Sequence, residues 1–257
     1  MSNFAGETRS IQPEGFNLLY EKGPCLVVVK PGGLATQAPP GIDSLEARVK
    51  EFLRIRDGKT GKVYLGVPHR LDRPVSGVMV LARHVRAARR LAEQFEARTV
   101  IKKYWAVVEG VVSPEAGTWT DHLRKIPDAA QVEVVSPEHP EGRLAVLYYR
   151  VLASDGRTSW LEIDLETGRT HQIRVQAASR SHPIVGDAQY GGVLPFGPVT
   201  DDVRRRWIAL HARRLEFRHP MTRELVSQVA PLPPAWGSLS ILHVDASLPD
   251  AEPPVPE

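Results

Sequence analysis

His69-Arg70-Leu71-Asp72-Arg73-Pro74-Val75-Ser76-Gly77 runs into the apolar segment Val78 to Ala82, after which the hydrophobic period changes. Val85, Ala88, Leu91 and Phe95 then trace one stripe among arginines. Arg-Pro and Ser-Gly are loop chemistry. The apolar run is too short for a helix and reads as a buried strand, while the stripe predicts an amphipathic helix over 84–97. Loop, strand and helix succeed one another here, but the pattern does not recur along the chain. A doubly wound parallel sheet is therefore not expected, and the fold class is α+β: a mixed, mostly antiparallel central sheet with flanking helices and loops.

Further elements lie in both directions. Cys25 to Val29 is a β-rich run stopped by Lys30-Pro31-Gly32-Gly33. That loop lacks both a dinucleotide glycine fingerprint and a Gly-Lys-Ser/Thr ending, so it is not a phosphate loop. Leu45, Val49, Phe52 and Leu53 recur at helical spacing behind a cap at Asp43 or Ser44, and the helix ends near Asp57-Gly58. Ile101 to Val112 alternates, with Tyr104 and Trp105 on opposite faces. Thr118 to Ile126, Leu144 to Ala153, Thr158 to Leu165, Ala209 to Phe217 and Leu225 to Val229 read as strands. Residues 1–16 form an N-terminal extension, 17–243 the folded domain, and 244–257 a proline-rich acidic tail that is expected to be disordered.

The composition, 257 residues with 42% hydrophobic and 25% charged, supports one large core or two small ones. The single cysteine, Cys25, excludes an intramolecular disulfide and thiolate-rich metal sites. No apolar run reaches signal-peptide length at the start or the roughly 20 residues that span a bilayer, so no membrane partner is expected and the cytoplasm is the expected compartment. The net charge of +3 is mild but uneven. Arg83, Arg86, Arg89, Arg90, Arg98, Lys102 and Lys103 form one concentration, and Arg204, Arg205, Arg206, Arg213, Arg214 and Arg218 a second. Such clusters are the footprint of a polyphosphate partner, and equally of solvated helix faces.

Asp72 lies between two arginines at the mouth of an apolar run. Guanidinium neighbours hold a carboxylate in its charged form, which suits a nucleophile or an anchored charge better than a proton donor. A plain ion pair in a turn accounts for the same pattern. The second region with chemical content is Gly168-Arg169-Thr170-His171-Gln172-Ile173-Arg174-Val175-Gln176, followed by Ser181-His182-Pro183-Ile184-Val185-Gly186-Asp187. Thr170 is a plausible cap for a helix over 170–178, on which His171 and Arg174 share a face. Burying such a cationic group requires an acidic or phosphate partner. His171 reads also as a structural histidine, since no second metal-type ligand sits at a usual spacing, and His182 as a turn residue.

The 69–77 stretch resembles the signature of the RluA-type family of RNA pseudouridine synthases. Three more segments agree in order: Leu18 to Glu21 leading to Val27-Val28-Val29-Lys30-Pro31-Gly32-Gly33-Leu34, Lys102 to Gly110 around Tyr104, and Gly168 to Val175 with His182 to Asp187 and Tyr190-Gly191. The likeness spans roughly 17–230. Val75 stands where the family usually has threonine and Gln176 where histidine is common. Residues 1–16 are too few for the small RNA-binding module that many relatives carry ahead of the catalytic domain.

The resemblance implies a uridine isomerase acting on tRNA or rRNA, without metal or cofactor and without a required protein partner, as a monomer. Asp72 would attack C1′ of a flipped-out uridine or assist departure of its base. Arg174 would pair with Asp72, Arg169 being the alternative. Tyr104 would stack on the uracil and relay the C5 proton. Arg70 would take the uridine's place in the RNA, and Arg73, Arg169, His171 and Gln172 would complete the substrate contacts. Two other readings remain: an RNA-binding protein without turnover, and a nucleoside or sugar hydrolase pairing Asp72 with a second acid such as Glu166 or Asp187.

Overall fold

The structure is a computed structural model that describes residues 12–243. The expectations for residues 1–11 and for the tail 244–257 lie outside the described residues. One sheet organises the chain, built from β1 (Asn17–Lys22), β2 (Cys25–Lys30), β3 (Ser76–Ala82), β4 (Ile101–Glu109), β5 (Ala116–Lys125), β6 (Val132–Val135), β7 (Arg143–Ser154), β8 (Thr158–Leu165), β9 (Leu210–Arg218) and β10 (Leu225–Val229). The order is β1-β2-β3-β9-β4-β8-β7-β5-β6, with β10 also paired to β9. Every pairing between these strands is antiparallel except the short β3–β9 contact. The expected mixed, mostly antiparallel sheet is what forms.

The central strands are continuous apolar runs because both faces are covered. β2 and β3 are buried at every residue. Helix α1 (Leu45–Arg56) buries Leu45, Val49, Phe52 and Leu53, the expected stripe. Of its two candidate caps Ser44 serves, its hydroxyl accepting from the Ala47 N–H, while Asp43 pairs with Arg48. Helix α2 (Val85–Glu96) forms where the period predicts it, but its buried stripe is rotated. Val85, at its first turn, stays 66% exposed; Ala87 and Leu91 are buried, and Phe95 stacks on the His69 ring.

One local expectation changes, and one strand is added. Thr170 does not cap the third helix, α3 (Gln172–Ala178): His171 occupies that position in a left-handed conformation, φ 51°, with no side-chain capping bond. The short edge strand β6 carries no clear alternation of its own and is held by pairing with β5.

The crossing of β3, β9 and β4 brings two distant segments to one level of the sheet. Ala212 of β9 lies opposite both Gly77 of β3 and Tyr104 of β4, so the loop ahead of β3 and the Tyr104 side chain arrive side by side. Gly77, at φ 128°, is required there: a Cβ would sit 2.4 Å from the Ala212 backbone.

Candidate active site

The Asp72 loop is pinned from below by groups that are almost all uncharged. Leu71 and Val75 are buried on either side of Asp72. Thr36 Oγ1 donates to the Leu71 carbonyl (2.8 Å) and accepts the Leu71 N–H (3.2 Å). The Val75 N–H closes a turn onto the Asp72 carbonyl at 3.1 Å. His69 Nε2 accepts the Val80 N–H, and burial pushes this imidazole down to about 3, so it is neutral. Behind the turn, Ser76 Oγ meets His211 Nδ1 at 2.8 Å, and burial pushes His211 down to about 3 as well. The one charge in this support is Lys30, fully buried, whose ammonium donates to the carbonyls of Pro31, Leu34 and Arg73. Burial pulls it down to about 7, against the attraction of Asp72.

α3 brings the opposing wall. Arg174 is 3% exposed and makes a two-pronged contact with Asp187, Nε–Oδ2 at 2.6 Å and Nη2–Oδ1 at 2.8 Å. Nη2 also donates to Gln189 Oε1 at 2.8 Å, and the guanidinium lies over the Tyr190 ring. Nη1 is left for Asp72 Oδ2 at 3.5 Å. Burial opposes the Arg174 charge, but Asp187 and then Asp72 outweigh it and its pKa stands above the ordinary value. Arg174 is therefore the partner of Asp72, held at a longer distance than its own anchor. Arg169 is not: it is exposed, and its Nε donates to the Leu144 carbonyl. His171 Nε2 approaches the same Asp72 oxygen at 3.8 Å.

Asp72 stands where a cleft of about 710 Å³ joins a smaller pocket of about 90 Å³. Tyr104, Arg70, Leu165 and Arg169 line both, whereas His171 and Arg174 line only the inner one. Burial, with the Asp72 charge after it, raises the Tyr104 hydroxyl above its ordinary value. On the other face of β4, Trp105 packs edge-on against Trp160. Gln172 also borders the inner pocket, but its polar atoms are engaged elsewhere. Nε2 donates to the Val146 carbonyl, and Oε1 accepts from Thr167 Oγ1 and the Arg169 N–H. Arg70 is exposed and Arg73 half-buried on the cleft wall.

The basic concentrations divide. Arg83 pairs with Glu21 and Asp57, Arg89 with Glu93, and Lys103 with Asp164, while Arg98 and Lys102 line the cleft. Burial and then the Arg98 charge hold Lys102 below the ordinary lysine value, a crowding that an anion relieves. In the second concentration, Arg214 pairs with Glu216, Arg205 with Asp202, and Arg213 lies over the Trp105 ring. Arg204, Arg206 and Arg218 stay exposed.

The roles of Lys30, Gln189 and Tyr190 and the anchoring role of Asp187 have no counterpart among the expectations from sequence. The available signal was Arg174: a buried guanidinium needs an acid, and Asp187 lies thirteen positions on in the same motif. Glu166, weighed as a second acid, sits at the cleft rim against Tyr148 (2.5 Å) and Arg98 (3.6 Å), and Asp187 is taken up by Arg174. Among the described residues no three of His, Cys, Asp or Glu gather as metal ligands. No helix among them is long and apolar enough to cross a membrane.

The family model described as RNA pseudouridylate synthase matches residues 24–179. A protein named ribosomal large subunit pseudouridine synthase D from Xanthomonas campestris is 40% identical over 227 residues, covering 84% of this chain and 66% of that protein. The RNA pseudouridine synthase YhcT of Bacillus subtilis is 35% identical over 237 residues, 88% and 72% of the two chains. The chain thus spans about two thirds of the length of these relatives. Among solved structures, human RNA pseudouridylate synthase domain containing 4 superposes with a TM-score of 0.68 at 26% identity, over 84% of this chain and 88% of that one.

Proposed function

The chain belongs to the RNA pseudouridylate synthase family, and we propose that it isomerises a uridine in ribosomal RNA with Asp72 as the nucleophile. The observation that carries this reading is the position of Asp72. It sits at the join of an RNA-sized cleft and a small inner pocket, with Arg174 behind it and Tyr104 beside it. A uridine flipped into the inner pocket presents C1′ at that join. The Asp72 carboxylate bonds to C1′ as the N1–C1′ bond breaks, leaving the electron pair on the uracil. The base turns, C5 bonds to C1′ and expels the carboxylate, and the C5 proton is then lost while N1 gains one. No second carboxylate is required, because the base never leaves.

Tyr104 supplies a stacking face for the uracil. Its hydroxyl, raised by burial and by Asp72, stays protonated through neutral pH, so it passes on the C5 proton only by releasing its own in the same step. Gln172 acts by holding the Arg169 loop. Arg70, Arg73, Arg169, Arg98 and Lys102 face the cleft and take the RNA backbone, Arg70 filling the place of the extruded base. A ribosomal substrate accords with the relatives' names. We place the protein in the cytoplasm as a monomer, residues 17–243 forming one catalytic domain.

Asp72→Asn tests the assignment. It should abolish pseudouridine formation, read by mapping modified positions in ribosomal RNA incubated with the purified protein, while RNA affinity stays within about threefold because the phosphate contacts are untouched. Turnover retained by the variant overturns the nucleophile assignment, and release of free uracil by the wild type marks a hydrolase instead.

A further inference from the structure

His171 is more constrained than a substrate contact needs to be. It holds φ 51° and ψ 21°, a left-handed conformation that glycine or asparagine adopts more readily. Its ring is hydrogen-bonded at one nitrogen and faces Asp72 with the other. Nδ1 lies 2.8 Å from Tyr190 Oη, and Nε2 lies 3.8 Å from Asp72 Oδ2. Tyr190 Oη accepts the Val132 N–H at 2.9 Å and keeps its own proton and one lone pair, so it can donate to Nδ1 or accept from it. The Asp72 carboxylate facing Nε2 can only accept, which favours the arrangement in which the hydroxyl donates to Nδ1 and the imidazole proton sits on Nε2. The charged and titratable groups around the ring are Asp72, Arg174, Asp187 and Tyr190, and burial outweighs the two carboxylates to keep the ring neutral.

We propose that His171 is a positioning residue for Asp72 rather than an RNA contact, its Nε2–H directed at Asp72 Oδ2 and its tautomer locked by the Tyr190 hydroxyl. Arg174 Nη1 addresses the same oxygen. With both donors on Oδ2, Oδ1 is left as the attacking atom. The lock reaches beyond the cleft. Gln189 Nε2 donates to the Ala130 carbonyl at 2.7 Å and Gln131 Nε2 to the Gln189 carbonyl at 3.3 Å. The turn between β5 and β6 thereby seats the two residues, Gln189 and Tyr190, that brace Arg174 and His171.

The kinetic part of this inference rests on Asp72 being the nucleophile; the tautomer does not. Nitrogen NMR of the ¹⁵N-histidine-labelled full chain at pH 7, with the His171 signals assigned by their loss in His171→Gln, should show a protonated Nε2 and an unprotonated Nδ1. In Tyr190→Phe the ring should become a mixture of tautomers. A protonated Nδ1 or an imidazolium in the wild type overturns the proposal.

Kinetics supply the second arm, since glutamine can place an N–H near the position of Nε2 whereas asparagine can reach only that of Nδ1. His171→Gln should keep kcat within about tenfold of wild type, and His171→Asn should lose about a hundredfold in kcat with KM for RNA little changed, as expected when a reacting group is misplaced. Backbone preference runs the other way, because asparagine tolerates the left-handed conformation better. A purely structural histidine would make His171→Asn the milder change. Equal losses, or a milder asparagine variant, overturn the positioning role, while turnover by Asp72→Asn would sink the nucleophile assignment and leave the NMR result standing.

Discussion

The two walls that meet at Asp72 are built from different materials. The wall that carries Asp72 is secured by main-chain hydrogen bonds to Thr36, Lys30 and His69 and by the buried Leu71 and Val75. The wall that faces it is a network of side chains: hydrogen bonds shorter than 3 Å join Arg174 to Asp187 and Gln189 and His171 to Tyr190, and the Arg174 guanidinium over the Tyr190 ring links the two groups. The first fixes where the carboxylate is; the second fixes the field it experiences. The nucleophile proposed here needs both, and the division allows each to be disturbed separately.

The ionic wall should break hardest. Asp187→Asn leaves Arg174 buried with Asp72 as its only carboxylate, and removing one partner of a buried pair costs about 3–5 kcal/mol. Arg174 would then be drawn onto Asp72, a tighter ion pair and a weaker nucleophile. Chemical denaturation should show the loss of stability, and kcat should fall further than RNA affinity. A variant as stable as wild type would mean that Asp187 is not the anchor.

The other wall should be the acid-sensitive one. His69 and His211 are held neutral down to about 3 by burial, whereas in the unfolded chain they take up a proton near 6.5. Between those values the unfolded state binds the extra protons, so stability falls as pH drops through the window, by up to about 1.4 kcal/mol per pH unit for each histidine. Urea unfolding at pH 7, 6 and 5 should show the decline, and His211→Gln should remove one histidine's share of the slope. An unchanged slope in that variant would show that His211 does not supply it.

The same division governs how far each wall is legible in the sequence. Apolar runs such as Cys25 to Val29 and Val78 to Ala82 declare themselves as strands because burial on both faces demands it. Asp72, Tyr104 and Arg174 stand out because their residue types carry chemistry. The pairing that joins them does not: Asp72 and Arg174 are 102 positions apart, and their meeting depends on β9 inserting between β3 and β4. The left-handed His171 has only a weak local signal, a modest enrichment of histidine in that conformation, and a cap at Thr170 is what propensity suggests. The second arginine cluster is only partly legible for a related reason. Counting charges cannot show that Arg213 lies on Trp105 and Arg214 on Glu216.

The smallest effect expected is the most specific to the main-chain wall. Thr36→Val keeps shape and burial but removes the hydroxyl that both donates to and accepts from Leu71, one residue before Asp72. Leaving those buried main-chain groups unpaired costs about 1–3 kcal/mol, and the loop can relieve the cost only by moving. The carboxylate moves with it while the Arg174 network stays in place. Thr36→Val should therefore lower kcat with little change in KM for RNA, and Thr36→Ser, which restores the hydroxyl without the methyl, should recover most of the loss. If serine fails to rescue while valine and serine lose stability equally, the methyl packing and not the hydroxyl holds the loop, and the main-chain account of this wall is wrong.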